Sequence, residues 1–427
     1  MTQSRIVKVS GRRVWDSRGI PAVEAEVALA GGARGRAIAP AGASRASAAR
    51  QLRDGGSRLG GLDVRRAVAH VEGEIARALL GRDATDQEAI DELLAALDGT
   101  RDKMHFGANA VLAVSLATLE AAAAANGLAL HAYLLDTDEV TLPLPLTRIF
   151  GAEEAAPWPL DVRDFMVMPL GAASFDQALE WTAEVDRAAA LALGEWGAGQ
   201  SAGEEGVPSL AFASNEEALE ALLSAIERAG LVPGEEMAIA LDLAASDLLE
   251  DGLYRLAADE VELDADEMID LLIGWLDRYP IRALLDPLAS EEREGLARLS
   301  AAVGERVEIV GGDLLMSQAA RVRNAAASGA CNALQLGLAE AGSVSEARSA
   351  LDAAREAGWD TILAGGTGES EDGTLMQLAV GWGIKEIRLG AFRHAERMAK
   401  WNAGLRIEEA AGAQARFAGD LEGRLRR

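Results

Sequence analysis

A chain of 427 residues, 49% hydrophobic and 26% charged, can bury a large core and has the length of a barrel plus a second domain. Its formal net charge of -27 at pH 7 repels nucleic acid and anionic membrane surfaces, so neither is expected as a partner. One cysteine, Cys331, excludes an intrachain disulfide framework, and the first residues lack a signal-type apolar run, so a cytoplasmic setting is expected.

The first third predicts strands followed by helices. Val23, Ala25, Val27 and Leu29 alternate with other residues, as in a half-buried strand. Gly31-Gly32 supplies a turn, and residues 34–39 return as the hairpin partner. Val64, Val68, Val71, Ile75 and Leu79 fall on one helical face. Thr85 and Glu88 have capping-box spacing ahead of Ile90, Leu93, Leu94 and Leu97. Residues 108–125 form a strong helix with Asn126-Gly127 as its stop; Glu120 interrupts the apolar run, which reads as a buried helix rather than a membrane span.

The rhythm then changes. Short apolar runs occur at 144–150, 165–170, 237–243, 281–285, 307–310, 331–336, 361–364 and 386–389, most of them separated by helical segments such as 266–276 and 343–357. From residue 237 the spacing is one strand and one helix per unit, the signature of parallel strands with crossover helices. Eight such runs predict a closed α/β barrel. An open doubly wound sheet is the other arrangement, but no glycine-rich phosphate fingerprint follows an early strand. In a barrel the site lies at the C-terminal strand ends. Those ends carry Asp242, Asp286, Gly312-Asp313, Gly337, Gly365-Gly366 and Gly390, while Glu204-Glu205 sit between Gly203 and Gly206. The predicted pocket holds carboxylates and many glycines, with no evident His or Lys.

Several stretches carry a resemblance. They include Trp15-Asp16-Ser17-Arg18-Gly19, Gly42-Ala43-Ser44, Leu97-Asp98-Gly99-Thr100, Phe106-Gly107-Ala108-Asn109-Ala110, Phe165-Met166-Val167-Met168-Pro169, Ser214-Asn215-Glu216-Glu217, Leu241-Asp242-Leu243, Gly368-Glu369-Ser370-Glu371-Asp372 and Arg406-Ile407-Glu408-Glu409. In this order and spread the chain resembles the enolase family. The resemblance implies an N-terminal α+β capping domain over about 1–135 and a modified (β/α)8 barrel over 140–427. Enolases dehydrate a phosphorylated hydroxy acid to phosphoenolpyruvate with a lysine base, an acid–base glutamate and two magnesium ions, the first held by three acidic residues.

Position by position, the resemblance places the first metal-binding aspartate at Asp242, but the other two ligand positions hold Leu285 and Gly312. The base position holds Gly337, the substrate loop reads Gly365-Gly366-Thr367, and an active-site histidine has become Ala155. A glutamate has become Asp164 and a second lysine Arg388, while Glu205 and Ser44 match. Glu205 and Asp164 are therefore the acid–base candidates, provided that burial raises their pKa. Arg388, Ser44 and Thr367 are the substrate-binding candidates, Arg388 as a clamp for a small anion. Magnesium is expected to bind weakly at Asp242, since side chains one residue further on, Asp286 and Asp313, should point to the opposite face unless the strand end bends enough to rescue the site. The glycines at 312, 337, 365 and 366 are expected either to enlarge the cavity or to mark drift. Cys331 is expected in the core, and Lys103, Lys385, His70, His105, His131 and His394 in packing or surface roles. A homodimer is expected, with Arg12 pairing across the interface with Glu408-Glu409.

Function is expected in one of two main classes. One is a repurposed lyase-type enzyme acting on a small carboxylate or phosphorylated acid. The other is a non-catalytic scaffold, partner subunit or ligand sensor. A working enolase is the third reading.

Overall fold

The computed structural model describes residues 3–40, 49–151, 160–195, 212–366 and 368–419. The chain begins with an antiparallel meander: Ile6–Trp15 pairs with Pro21–Leu29, which pairs with Arg34–Ala39. Asp16 makes the first turn, its Oδ1 accepting the backbone N–H of Arg18 at 2.9 Å and of Ile20 at 2.8 Å. The predicted hairpin at Gly31-Gly32 is present, and Val23, Ala25, Val27 and Leu29 are buried.

Helix Ala108–Ala125 packs on this sheet so closely that a Cβ at Gly35 would lie 2.1 Å from the backbone nitrogen of Ala121. It is the one helix among the described residues long and apolar enough to cross a membrane, and 83% of it is buried within the fold. The expected capping box at Thr85 is replaced by a neighbour: Asp86 caps helix Gln87–Asp98, and Thr85 donates to Asp83 instead.

All eight predicted apolar runs are barrel strands. In chain order they are Leu144–Gly151, Asp164–Met168, Ala238–Asp242, Ile281–Leu285, Glu308–Gly311, Ala333–Gly337, Asp360–Ala364 and Glu386–Ala391, and they close into one barrel. The second strand runs antiparallel to both neighbours. Only residues 152–163 separate it from the first strand, at the lower limit for a crossover connection, and a hairpin return is the shorter solution. This reversal matters for the site. It puts Asp164, the first residue of its strand, level with Asp242, the last residue of the third.

The two parts are stitched by polar contacts. Lys103 Nζ meets Glu346 at 2.8 Å, the N–H and hydroxyl of Ser345 donate to Asp91, and the backbone N–H of Ser17 reaches the carbonyl of Glu369 at 3.0 Å. Within one chain Arg12 pairs with Glu24 and Glu26, and Glu408 accepts the N–H groups of Phe175 and Asp176 at the start of helix Phe175–Glu195.

Candidate active site

Strand alternation determines what faces the barrel interior. Leu144 and Leu146, Met166 and Met168, Ala238 and Ala240, Val310, Ala333 and Ile362 fill it with apolar side chains. Continuing each alternation toward the mouth gives Arg148, Asp164, Asp242, Gly312, and Gln335 followed by Gly337.

Arg388 organises this layer. Its Nη2 donates to Asp164 Oδ2 and, at 2.7 Å, to Asp242 Oδ2; its Nη1 donates to Gln335 Oε1 at 2.9 Å. Arg148 Nε lies 2.9 Å from the other oxygen of Asp164. Arg163, half-exposed above them, places Nη1 3.7 Å from Asp242 Oδ2 and donates through Nη2 to Asp247 at 2.8 Å. Burial works against the charge on Arg388, but Asp242 and Asp164 more than offset it and hold the guanidinium protonated. Burial also pushes the Asp164 carboxyl up, yet the opposing pull of Arg148, Arg388 and Arg163 wins and holds it below the ordinary carboxylate range. The condition for acid–base work at Asp164 is thus not met, and the residue remains a paired carboxylate. Arg388 likewise spends both Nη groups on protein partners.

Asp286 does not follow simple alternation. Its φ of +43° bends the end of the fourth strand, and its Oδ1 accepts the N–H groups of Gly312 at 2.8 Å and Asp313 at 3.0 Å. A Cβ at Gly312 would lie 2.5 Å from Asp286 Oδ2 and 2.8 Å from Gln335 Nε2. The misdirection expected of Asp286 is therefore corrected by the bend, and the glycine at 312 makes room for this carboxyl rather than for a larger cavity. The same substitution recurs at the sixth strand. A Cβ at Gly337 would lie 3.2 Å from Glu340 Cδ, and Ser317 bridges the two by accepting the Gly337 N–H at 2.9 Å and donating to Glu340 Oε2 at 3.0 Å.

Burial, with Asp313 and Asp242 nearby, pushes the Asp286 carboxyl up to about 8. The folded protein then retains a proton that the unfolded chain releases above the ordinary value of 3.8. The stability from this group is complete below 3.8 and is lost as pH rises through about 8. Asp286→Asn keeps the accepting oxygen and cannot ionise. It is expected to flatten the fall in urea midpoint across this interval; an unchanged slope would count against protonation of Asp286.

The magnesium implied at Asp242 fails on the donor set. Asp242 Oδ2 is taken by Arg388, and Oδ1 accepts the Ala244 N–H at 3.0 Å. Leu285 and Gly312 offer no side-chain ligand. Among the described residues no group of three or more His, Cys, Asp or Glu is arranged to hold a metal.

Glu205, Ser44 and Thr367 lie outside the described residues. Among the alternative bases, His70 and His105 stack with Phe106 in the cap, and His131 contacts Gln377. Lys400 is fully buried, its Nζ 2.9 Å from Glu369 Oε2; the other oxygen of Glu369 accepts the Gly366 N–H at 2.7 Å. This pair anchors the loop after the seventh strand. Cys331 is buried, its thiol pushed by burial up to about 12. Sequence reasoning missed Arg148, Arg163, Gln335 and Glu340. Alternation from Leu144 and Leu146 would have found Arg148, and from Ala333 Gln335; Glu340 stands beyond its strand and left no periodic signal.

Two family models cover the chain. One described as the enolase N-terminal domain matches residues 6–134, and one described as the enolase C-terminal TIM barrel domain matches residues 139–425.

Proposed function

The chain belongs to the enolase family, and on that premise we propose that it is a divergent member working by acid–base chemistry without a divalent cation. Its substrate is a small carboxylate or phosphorylated acid. The observation that carries this reading is the Arg388 guanidinium bridging Asp164 and Asp242, which pairs off the one carboxylate that the resemblance leaves at the metal position. A cation of this kind orients and neutralises its neighbours but cannot open coordination sites to substrate.

Arg163 is the group that meets the anion. It is 41% exposed, and its Nη1 at 3.7 Å from Asp242 is beyond hydrogen-bond length. Nearby Asp286 and Glu340, with carboxyls raised to about 8 and about 7, supply groups that can give or take a proton near neutrality. The second reading, a ligand sensor without turnover, draws on the commitment of both Arg388 Nη groups to protein partners.

Calorimetry with small carboxylates and organic phosphates tests the binding half of this proposal. Arg163→Ala should weaken binding roughly 10–100-fold, the loss of one charged hydrogen bond of about 1.5–3 kcal/mol. Equal affinity in the variant would remove Arg163 from the site. The absence of binding by the wild-type protein across the panel would overturn the proposal itself.

A further inference from the structure

We propose that Glu340 is the proton-transfer residue of this pocket and that its substrate is a 2-oxo acid, deprotonated at carbon 3. The inference rests on the functional reading above and names its reacting group and substrate class. Glu340 stands just past the sixth strand with its carboxyl against the bare backbone of Gly337; a Cβ there would lie 3.2 Å from Cδ and 3.3 Å from Oε2. Ser317 fixes that position, because its hydroxyl binds Oε2 while it also accepts the Gly337 N–H. Oε1 makes no hydrogen bond to the described residues, so one carboxyl oxygen is held and the other is available. The charges that act on Glu340 include Asp313, Arg388 and Arg163, the last two being the arginines that border Asp242. Burial, opposed by the Ser317 hydrogen bond, brings its carboxyl up to about 7, making it a stronger base than an ordinary glutamate.

The substrate class follows from acidity and from where the charge is placed. Removing a proton beside a carboxylate concentrates both charges of the resulting dianion on one carboxyl group, which needs multiply charged metal partners, and this donor set does not hold them. A proton beside a ketone is far more acidic, and although the 2-oxo acid also becomes a dianion, the new charge sits on the ketone oxygen, apart from the carboxylate. In a 2-oxo acid the carboxylate and ketone oxygens lie side by side, a match for the planar fork of a guanidinium such as Arg163. Glu340 takes the proton from carbon 3, the C–H electron pair becomes the carbon 2–carbon 3 double bond, and the ketone π pair moves onto oxygen. Reversal returns the proton, so the step balances with no further reactant.

Deuterium exchange at carbon 3 of pyruvate and 2-oxobutyrate, followed by proton NMR in D2O with the full chain, reads this step directly. Wild-type protein should exchange faster than the protein-free control, with a rate that falls as pH drops below about 7. Glu340→Gln should lose about 10²–10⁴-fold of that rate while keeping its thermal unfolding midpoint and its affinity for the acid. Ser317→Ala, affecting only the positioning of Glu340, should displace the pH midpoint of exchange. If Glu340→Gln exchanges at the wild-type rate, the assignment of Glu340 is overturned and the functional reading stands. Binding without exchange in wild type overturns the proton-transfer role and favours the ligand sensor. No binding of either acid, with binding of other anions, overturns the 2-oxo acid class; no anion binding at all overturns both readings.

Discussion

Arg388→Ala is expected to destabilise the protein by roughly 3–5 kcal/mol, the cost of removing one partner from a buried ion pair. The guanidinium is 14% exposed and its two carboxylates 6% and 1%, so solvent screens little of the loss. Asp164 retains Arg148 after the change, and Asp242 retains Arg163 only at 3.7 Å. Asp242 is therefore the residue left worst compensated. Gln335 also loses the donor to its Oε1. Arg388→Lys should recover part of the stability, since it restores the charge without the fork that reaches three partners. Adding Asp242→Asn to Arg388→Ala should recover part by the other route, because it removes the stranded charge, and the two changes should be strongly non-additive. Urea unfolding of wild type, Arg388→Ala, Arg388→Lys, Asp242→Asn and the Arg388→Ala/Asp242→Asn double variant in parallel reads all of this. A loss for Arg388→Ala within about 1 kcal/mol of wild type, the range of an exposed pair, would show that Arg388 does not hold the layer together.

The barrel was legible because a fully buried strand leaves a short apolar run and a crossover helix leaves a spacer of fixed length; all eight runs became strands. The direction of the second strand was less legible, since a run of apolar residues carries no polarity and only the shortness of residues 152–163 hints at a hairpin. The losses at Leu285, Gly312 and Gly337 were readable residue by residue, but what fills the vacated space was not. Asp286 occupies the room at Gly312 only because its backbone adopts φ +43°. Glu340 reaches Gly337 from a short helix, Leu338–Ala341, that follows the strand directly. Asp286 meets Gly312 across neighbouring strands and Glu340 meets Gly337 locally, one helical turn on, and both come from outside the strand pattern. The buried lysine at 400 was likewise invisible as an anchor, because its partner Glu369 is distant in sequence.

Conversion of 2-phosphoglycerate to phosphoenolpyruvate should be absent at enolase-like rates. A missing acid–base partner alone typically costs about 10²–10⁴-fold, and the sixth strand ends in Gly337, with no lysine. Glu340 in that space is a weaker base than a lysine, so it does not restore abstraction of a proton beside a carboxylate. The dianionic intermediate would further require cations that Asp242 cannot recruit while Arg388 occupies it. A continuous absorbance assay for phosphoenolpyruvate should stay at the level of the protein-free control at any magnesium concentration. Turnover within tenfold of a working enolase assayed alongside would contradict it.

Pairing of Asp242 with a guanidinium in place of a divalent cation is read by calorimetric titration of magnesium into the wild-type protein, with and without 2-phosphoglycerate. No binding heat above dilution is expected in either case, because Asp242 is already paired and Leu285 and Gly312 offer no side-chain ligand. Saturable magnesium binding with micromolar affinity, to the free protein or to the mixture, would contradict it.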